Sequence, residues 1–167
     1  MHDDDHSPDS GSEASLWEYC LRAYADKAVS QACLAAQDTH DLDVCLLLYL
    51  AWLADRGEQI SESQLGRVVN ACKDWRNSVV LPLRKQRRRW KAVDPESWEY
   101  AALKKLEQQA EREQLAMLET LLARSEIHST RDTTTAFKEN LDNLLRCFDL
   151  PRASLHEFFE AVQGADA

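Results

Sequence analysis

The chain has 167 residues, four glycines, four prolines and a formal net charge of −9. That length is enough to bury the core of one domain without staples, and the negative balance excludes an overall attraction to nucleic acid. Five cysteines, Cys20, Cys33, Cys45, Cys72 and Cys147, show no close pair, which argues against a disulfide framework and the common zinc spacings and suits a reducing compartment.

Residues 1–12 read as a disordered acidic tail, because Asp, Ser, His, Gly and Pro offer nothing to bury. Residues 13–167 read as one all-helical domain. Ser15 is placed to cap a first helix carrying Leu16, Trp17, Cys20, Leu21 and Tyr24 on one face. A second helix over about 27–38 aligns Val29, Ala32, Cys33 and Ala36, and Thr39 to Asp43 suits a turn. A third, over about 42–55, is apolar nearly all round, which predicts that it lies at the centre of the fold. Gly57 is its natural stop. The apolar run inside it, Val44 to Ala54, is eleven residues, well short of the roughly 20 needed to span a membrane. With acidic, polar first residues in place of a secretory signal, the expected location is cytoplasmic.

Ser61 and Gln64 form a capping box ahead of a helix with Leu65, Val68, Val69, Cys72, Trp75 and Val79 at helical spacing. Pro82 should kink or restart that helix. Asp94 and Pro95 look like an N-cap and first helical position of a long helix over about 95–125, roughly 45 Å from end to end. Its middle, Glu107 to Gln114, is polar and is expected to be solvated on most sides, with the helix either projecting from the body or breaking. Residues 125–135 read as a polar connection. Two shorter helices close the chain, one with Phe137, Leu141, Leu144, Leu145 and Phe148, the other with Leu155, Phe158, Phe159 and Val162. No strand pattern or internal repeat is visible. The expected fold is an all-α single-domain bundle of about seven helices.

Two stretches carry a resemblance. One holds Ala32-Cys33-Leu34, Gln37-Asp38, Leu42-Asp43-Val44, Leu46-Leu47-Leu48 and Trp52; the other holds Trp75, Val79-Val80, Pro82-Leu83-Arg84, Arg87-Arg88 and Lys91. Together they resemble an uncharacterised proteobacterial family of small all-helical proteins, a domain of unknown function. The resemblance covers roughly Leu16 to Lys91 and implies fold, bacterial origin and location, with no activity attached. Where that family's pattern has Gly and Asn, this chain has Asp41 and Cys45.

Charge is the strongest functional lead. Nine basic residues and one acidic lie between Arg67 and Lys91, so the remainder is strongly acidic. Arg84, Arg87, Arg88 and Lys91 fall on neighbouring helical positions with Trp90 beside them. Such a surface suits an acidic protein or another anionic partner, with nucleic acid as a second receptor. The competing expectation is that these cations pair with the chain's own carboxylates. A polar cluster, Gln37, Asp38, His40, Asp41 and Asp43, crowds one turn, but it lacks an EF-hand spacing. Outside the tail, His40, His128 and His156 have no nucleophile context, and four scattered glycines cannot make a phosphate loop, so neither a triad nor a phosphate site is visible. No catalytic residue, metal or cofactor is therefore assigned. The expected function is a small binding or adaptor protein acting through the basic helical surface. The alternative is an enzyme with an all-helical pocket using Asp38, Asp43 and Arg84.

Overall fold

The structure, a computed structural model, describes residues 14–122 and 126–165. The expected tail lies outside them. In chain order the elements are α1 (Leu16–Ala25), α2 (Lys27–His40), α3 (Val44–Asp55), β1 (Glu58–Gln59), α4 (Glu62–Trp75), a π-helical turn (Arg76–Val80), α5 (Leu81–Val93), α6 (Trp98–Thr120), β2 (His128–Ser129), α7 (Thr133–Cys147), a 3-10 turn (Arg152–Leu155) and α8 (His156–Ala165). The fold is an all-α single domain. Because α4, the π turn and α5 run on without a break, the described residues form seven helical rods.

Local chemistry sets the boundaries. Ser15 and Ser61 each close a capping box, with Glu18 and with Gln64, so two otherwise orphaned amides are satisfied at each start. Asp26 caps α2 through Ala28 and Val29, and Asp43 caps α3 through Cys45. Gly57 takes φ 69°, and a Cβ there would fall 2.2 Å from the Thr130 carbonyl oxygen. The left-handed turn and the close approach both require glycine.

Every residue from Cys45 to Ala54 is buried, and α3 is packed by α1, α2, α6 and α7. A helix with no polar face has to be enclosed in this way. Phe137 stands edge-on to Phe158, ring centroids 5.8 Å apart, and stacks on Phe159 at 5.3 Å, which fixes α8 against α7. Asn140 is fully buried: it accepts from the Ile60 amide at 2.9 Å and donates to the carbonyls of Leu50 and Glu58 at 3.3 and 3.0 Å.

Four expectations change. The long helix starts at Trp98, capped by the Ser97 hydroxyl, and ends at Thr120. Asp94 instead accepts from the Glu96 amide in a turn that contains Pro95. Pro82 does not restart the helix: α4 runs through the π turn into α5, and the π turn just before the proline widens the backbone where its ring would crowd the preceding carbonyl. The polar middle of α6 is solvated on one side only: Gln108, Gln109, Arg112 and Glu113 are exposed, while Glu107, Ala110 and Gln114 are buried. Finally, the connection before α7 holds a strand, β2, which pairs antiparallel with β1 through Glu58 with Ser129 and Gln59 with His128.

Candidate functional site

The rod α4–π–α5 carries arginines at 76, 84, 87 and 88, and each meets a carboxylate from elsewhere in the chain. Arg84 is buried; its Nε donates to Glu107 at 2.8 Å and its Nη2 to Glu111 at 2.7 Å. Arg87 also donates to Glu107. These contacts bind α5 to α6 as an antiparallel pair. On the other flank, Arg76 donates to the backbone oxygen and carboxylate of Asp41 at 3.1 and 3.2 Å and approaches Asp43 at 3.6 Å. Arg88 pairs with Asp38 at 3.1 Å, with both side chains more than half exposed.

The electrostatics of the two glutamates differ. Burial pushes the Glu107 carboxyl up, but hydrogen bonds from Arg87 and Arg84 outweigh it and hold the group below the ordinary carboxylate range. Burial also raises Glu111, and there the opposing Arg84 charge does not compensate, partly because Glu107 adds a like charge. Burial works against the Arg84 charge too, and hydrogen bonds and charge from both glutamates more than restore it.

Two recesses flank this belt. A groove of about 570 Å³ has Arg84, Arg87, Glu107 and Glu111 on its α5–α6 wall, and Leu21, Tyr24, Leu34 and Gln37 on its α1–α2 wall. Leu21, Tyr24 and Leu34 are exposed. A second cavity, about 280 Å³, lies where α3 begins, between the π turn and α6, and is lined by Asp43, Arg76 and Gln114 among others.

Beyond Arg87 the α5–α6 pair leaves the body. No residue from Lys85 to Leu106 is buried, and Val93 and Trp98 are each 76% exposed near the turn between the helices. Lys85, Arg88 and Arg89 share one edge and line a shallow trough of about 470 Å³. Lys91 is exposed one turn beyond Arg87, and Trp90 is half-buried.

Residues 15–118 match one protein-family model, described as Protein of unknown function (DUF2390). The chain belongs to that family. No curated protein and no solved structure matches it. The DUF2390 span contains these four arginines and their five acidic partners, Asp38 on α2, Asp41 and Asp43 in the turn after it, and Glu107 and Glu111 on α6, together with the arm.

The five residues expected to form one basic surface are therefore divided. Arg84 and Arg87 face inward onto Glu107, while Arg88 and Lys91 face outward. The cluster Gln37, Asp38 and Asp43 is dispersed as well: Gln37 lines the groove, Asp38 meets Arg88, and Asp43 caps α3 and meets Arg76. Asp38, Asp43 and Arg84 thus have three different partners. Among the described residues no three His, Cys, Asp or Glu side chains converge as a metal site would require, and no helix is long and apolar enough to cross a membrane. Glu107, Glu111 and Gln114 were not singled out by sequence, although their spacing of four and three with Ala110 between them marks one helix face.

Proposed function

We propose that this DUF2390 protein is a small cytoplasmic binding protein of bacterial origin that captures an acidic protein partner on the outer edge of the α5–α6 arm. The observation that carries the reading is the arm itself, a helical pair with no buried residue from Lys85 to Leu106. Lys85, Arg89 and Lys91 meet no carboxylate among the described residues, and Arg88 has only its exposed pair with Asp38. Like charges within two helical turns repel by a few tenths of a kcal/mol per pair, a cost that a partner's carboxylates would offset. Exposed Trp98 and Val93, with Trp90 nearby, supply the aromatic and apolar area around which protein interfaces concentrate their energy.

The test is a titration of the purified protein with three probes: acidic peptides, duplex and single-stranded oligonucleotides, and vesicles of anionic lipid. The reading expects binding to acidic peptides that weakens steeply with salt and is lost in the triple variant Lys85→Glu, Arg89→Glu, Lys91→Glu. Binding of the oligonucleotides or vesicles alone would overturn it.

A second reading, an enzyme acting in the groove beside Arg84, is favoured by one observation: Glu111 is a half-buried carboxyl on the groove wall, held above its ordinary range by burial, as a general acid or base would be. A Glu111→Gln variant that differs from the wild type only in the pH dependence of its stability would remove its support.

A further inference from the structure

We propose that the cavity at the start of α3 binds a small amphipathic zwitterion, an α-amino acid with an apolar side chain. The first ground is an unmet acceptor. Gln114 is 1% exposed; its amide nitrogen donates to Asp43, and its Oε1, also buried, has no hydrogen-bond partner. Reversing the amide would set that oxygen against the Asp43 carboxylate, so the assignment is chemically fixed. A buried polar atom without a partner is costly, and native proteins retain few. Gln114 lines the cavity, so a donor bound there has this acceptor within the same wall.

The second ground is charge. Asp41 and Asp43 face Arg76 and Lys73 around the opening, so the lining is formally neutral, which suits a ligand bearing one charge of each sign. Arg76 commits Nε to Asp43 and Nη2 to Asp41, leaving Nη1, and Lys73 meets no carboxylate among the described residues. These two cations can take a carboxylate, while Gln114 Oε1 and Asp43 take an ammonium. The third ground is the apolar remainder: Leu46 and Leu118 are buried, Val69 is half-buried, and Phe148 is exposed at the rim. They offer a surface for an aliphatic or aromatic side chain.

The size agrees. A volume of about 280 Å³ is near the lower end of small-molecule pockets and far exceeds the roughly 30 Å³ of a single water. One backbone feature borders the same space: the π turn starts at Arg76, a conformation that is rare and is frequent at functional sites.

The experiment is isothermal titration calorimetry with parallel amide chemical-shift mapping on the full chain, using L-leucine and L-phenylalanine as probes. The controls are isoamylamine and phenethylamine, which lack the carboxylate, and the N-acetyl amino acids, which lack the ammonium. We expect one site of millimolar affinity or better for at least one amino acid, with shifts at Asp43, Arg76 and Gln114. Both kinds of control should bind at least about tenfold more weakly, a loss near 1.4 kcal/mol. Gln114→Met, which keeps length and apolar volume, should abolish binding. Because that change also removes a hydrogen bond to Asp43, the rim variant Lys73→Ala serves as a second arm, with unchanged melting temperature and weakened binding expected. No heat and no shift with any common apolar amino acid would overturn the proposal. Equal binding of the bare amines, or wild-type binding by both variants, would also overturn it.

Discussion

Arg84 and Glu107 face each other at 2.8 Å inside the fold, each with almost no exposed side-chain surface, although they lie on different helices. Glu111 completes the arrangement at 2.7 Å. Removing one member of a buried pair strands the other, which typically costs about 3–5 kcal/mol. We therefore expect Arg84→Met to shift the denaturant midpoint by an amount in that range. Arg88→Met breaks a pair exposed on both sides and should cost no more than about 1 kcal/mol. Equal losses would contradict the division of α5 into an inner and an outer face.

The same cluster sets a pH dependence with opposed signs. Glu107 titrates below its ordinary value of 4.5, so its stabilising contribution is present above that value and disappears as pH falls through the lowered one. Glu111 titrates above its ordinary value. Its contribution is present below pH 4.5 and is lost as pH rises through the raised value. Chemical denaturation across this range should show Glu107→Gln losing the acid-side slope of the wild type. Glu111→Gln should grow more stable relative to wild type as pH rises. Parallel curves for the two variants would refute the assignment.

Asn140 joins α7 to the middle of α3 and to the β1 segment through three hydrogen bonds to backbone groups. Truncation to alanine would leave those buried groups without their side-chain partner, at about 1–3 kcal/mol for an unsatisfied group. We expect Asn140→Ala to lower stability by about 3 kcal/mol and to speed hydrogen exchange at Ile60, whose amide bonds to this side chain. A change below 1 kcal/mol would show that the staple contributes little.

Two left-handed residues should respond in opposite directions. Gly57→Ala introduces a Cβ into a φ of 69° and against the Thr130 carbonyl, and the conformation alone costs about 1–2 kcal/mol. Asp41, at φ 52°, lies where the family resemblance leads one to expect glycine. Asp41→Gly should recover about 1 kcal/mol of backbone strain and forfeit an exposed ion pair worth up to about the same, leaving thermal stability unchanged or slightly higher. Destabilisation by Asp41→Gly comparable to that of Gly57→Ala would refute this account.

Helix caps and the apolar belt made most of the fold legible from sequence. Ser15, Ser61 and Gly57 mark boundaries through chemistry confined to one turn, and α3 declares its burial because it has no polar face. The misreadings involve either competing local signals or distant partners. Asp94-Pro95 imitates a helix start three residues before the real cap, Ser97. Pro82 signals a break that a π turn absorbs. Glu107 and Gln114 look solvated because their partners, Arg84 and Asp43, are remote in sequence and meet them only once α5, α6 and the start of α3 have packed. The basic segment was found, but which of its arginines face inward depends on that same packing. The cavity around Gln114 draws on four separate elements, and no local pattern announces it.

The measurement that bears most directly on the central claim compares the triple variant Lys85→Glu, Arg89→Glu, Lys91→Glu with Arg84→Met in two readouts, melting temperature and salt-dependent binding of acidic peptides. If α5 divides its charge between an inner structural face and an outer binding edge, the triple variant melts with the wild type and loses binding. Arg84→Met should lose several kcal/mol of stability, as one-sided removal of a buried pair does, and should retain binding below its melting transition. A triple variant that unfolds early, or that binds acidic peptides as the wild type does, would contradict the account.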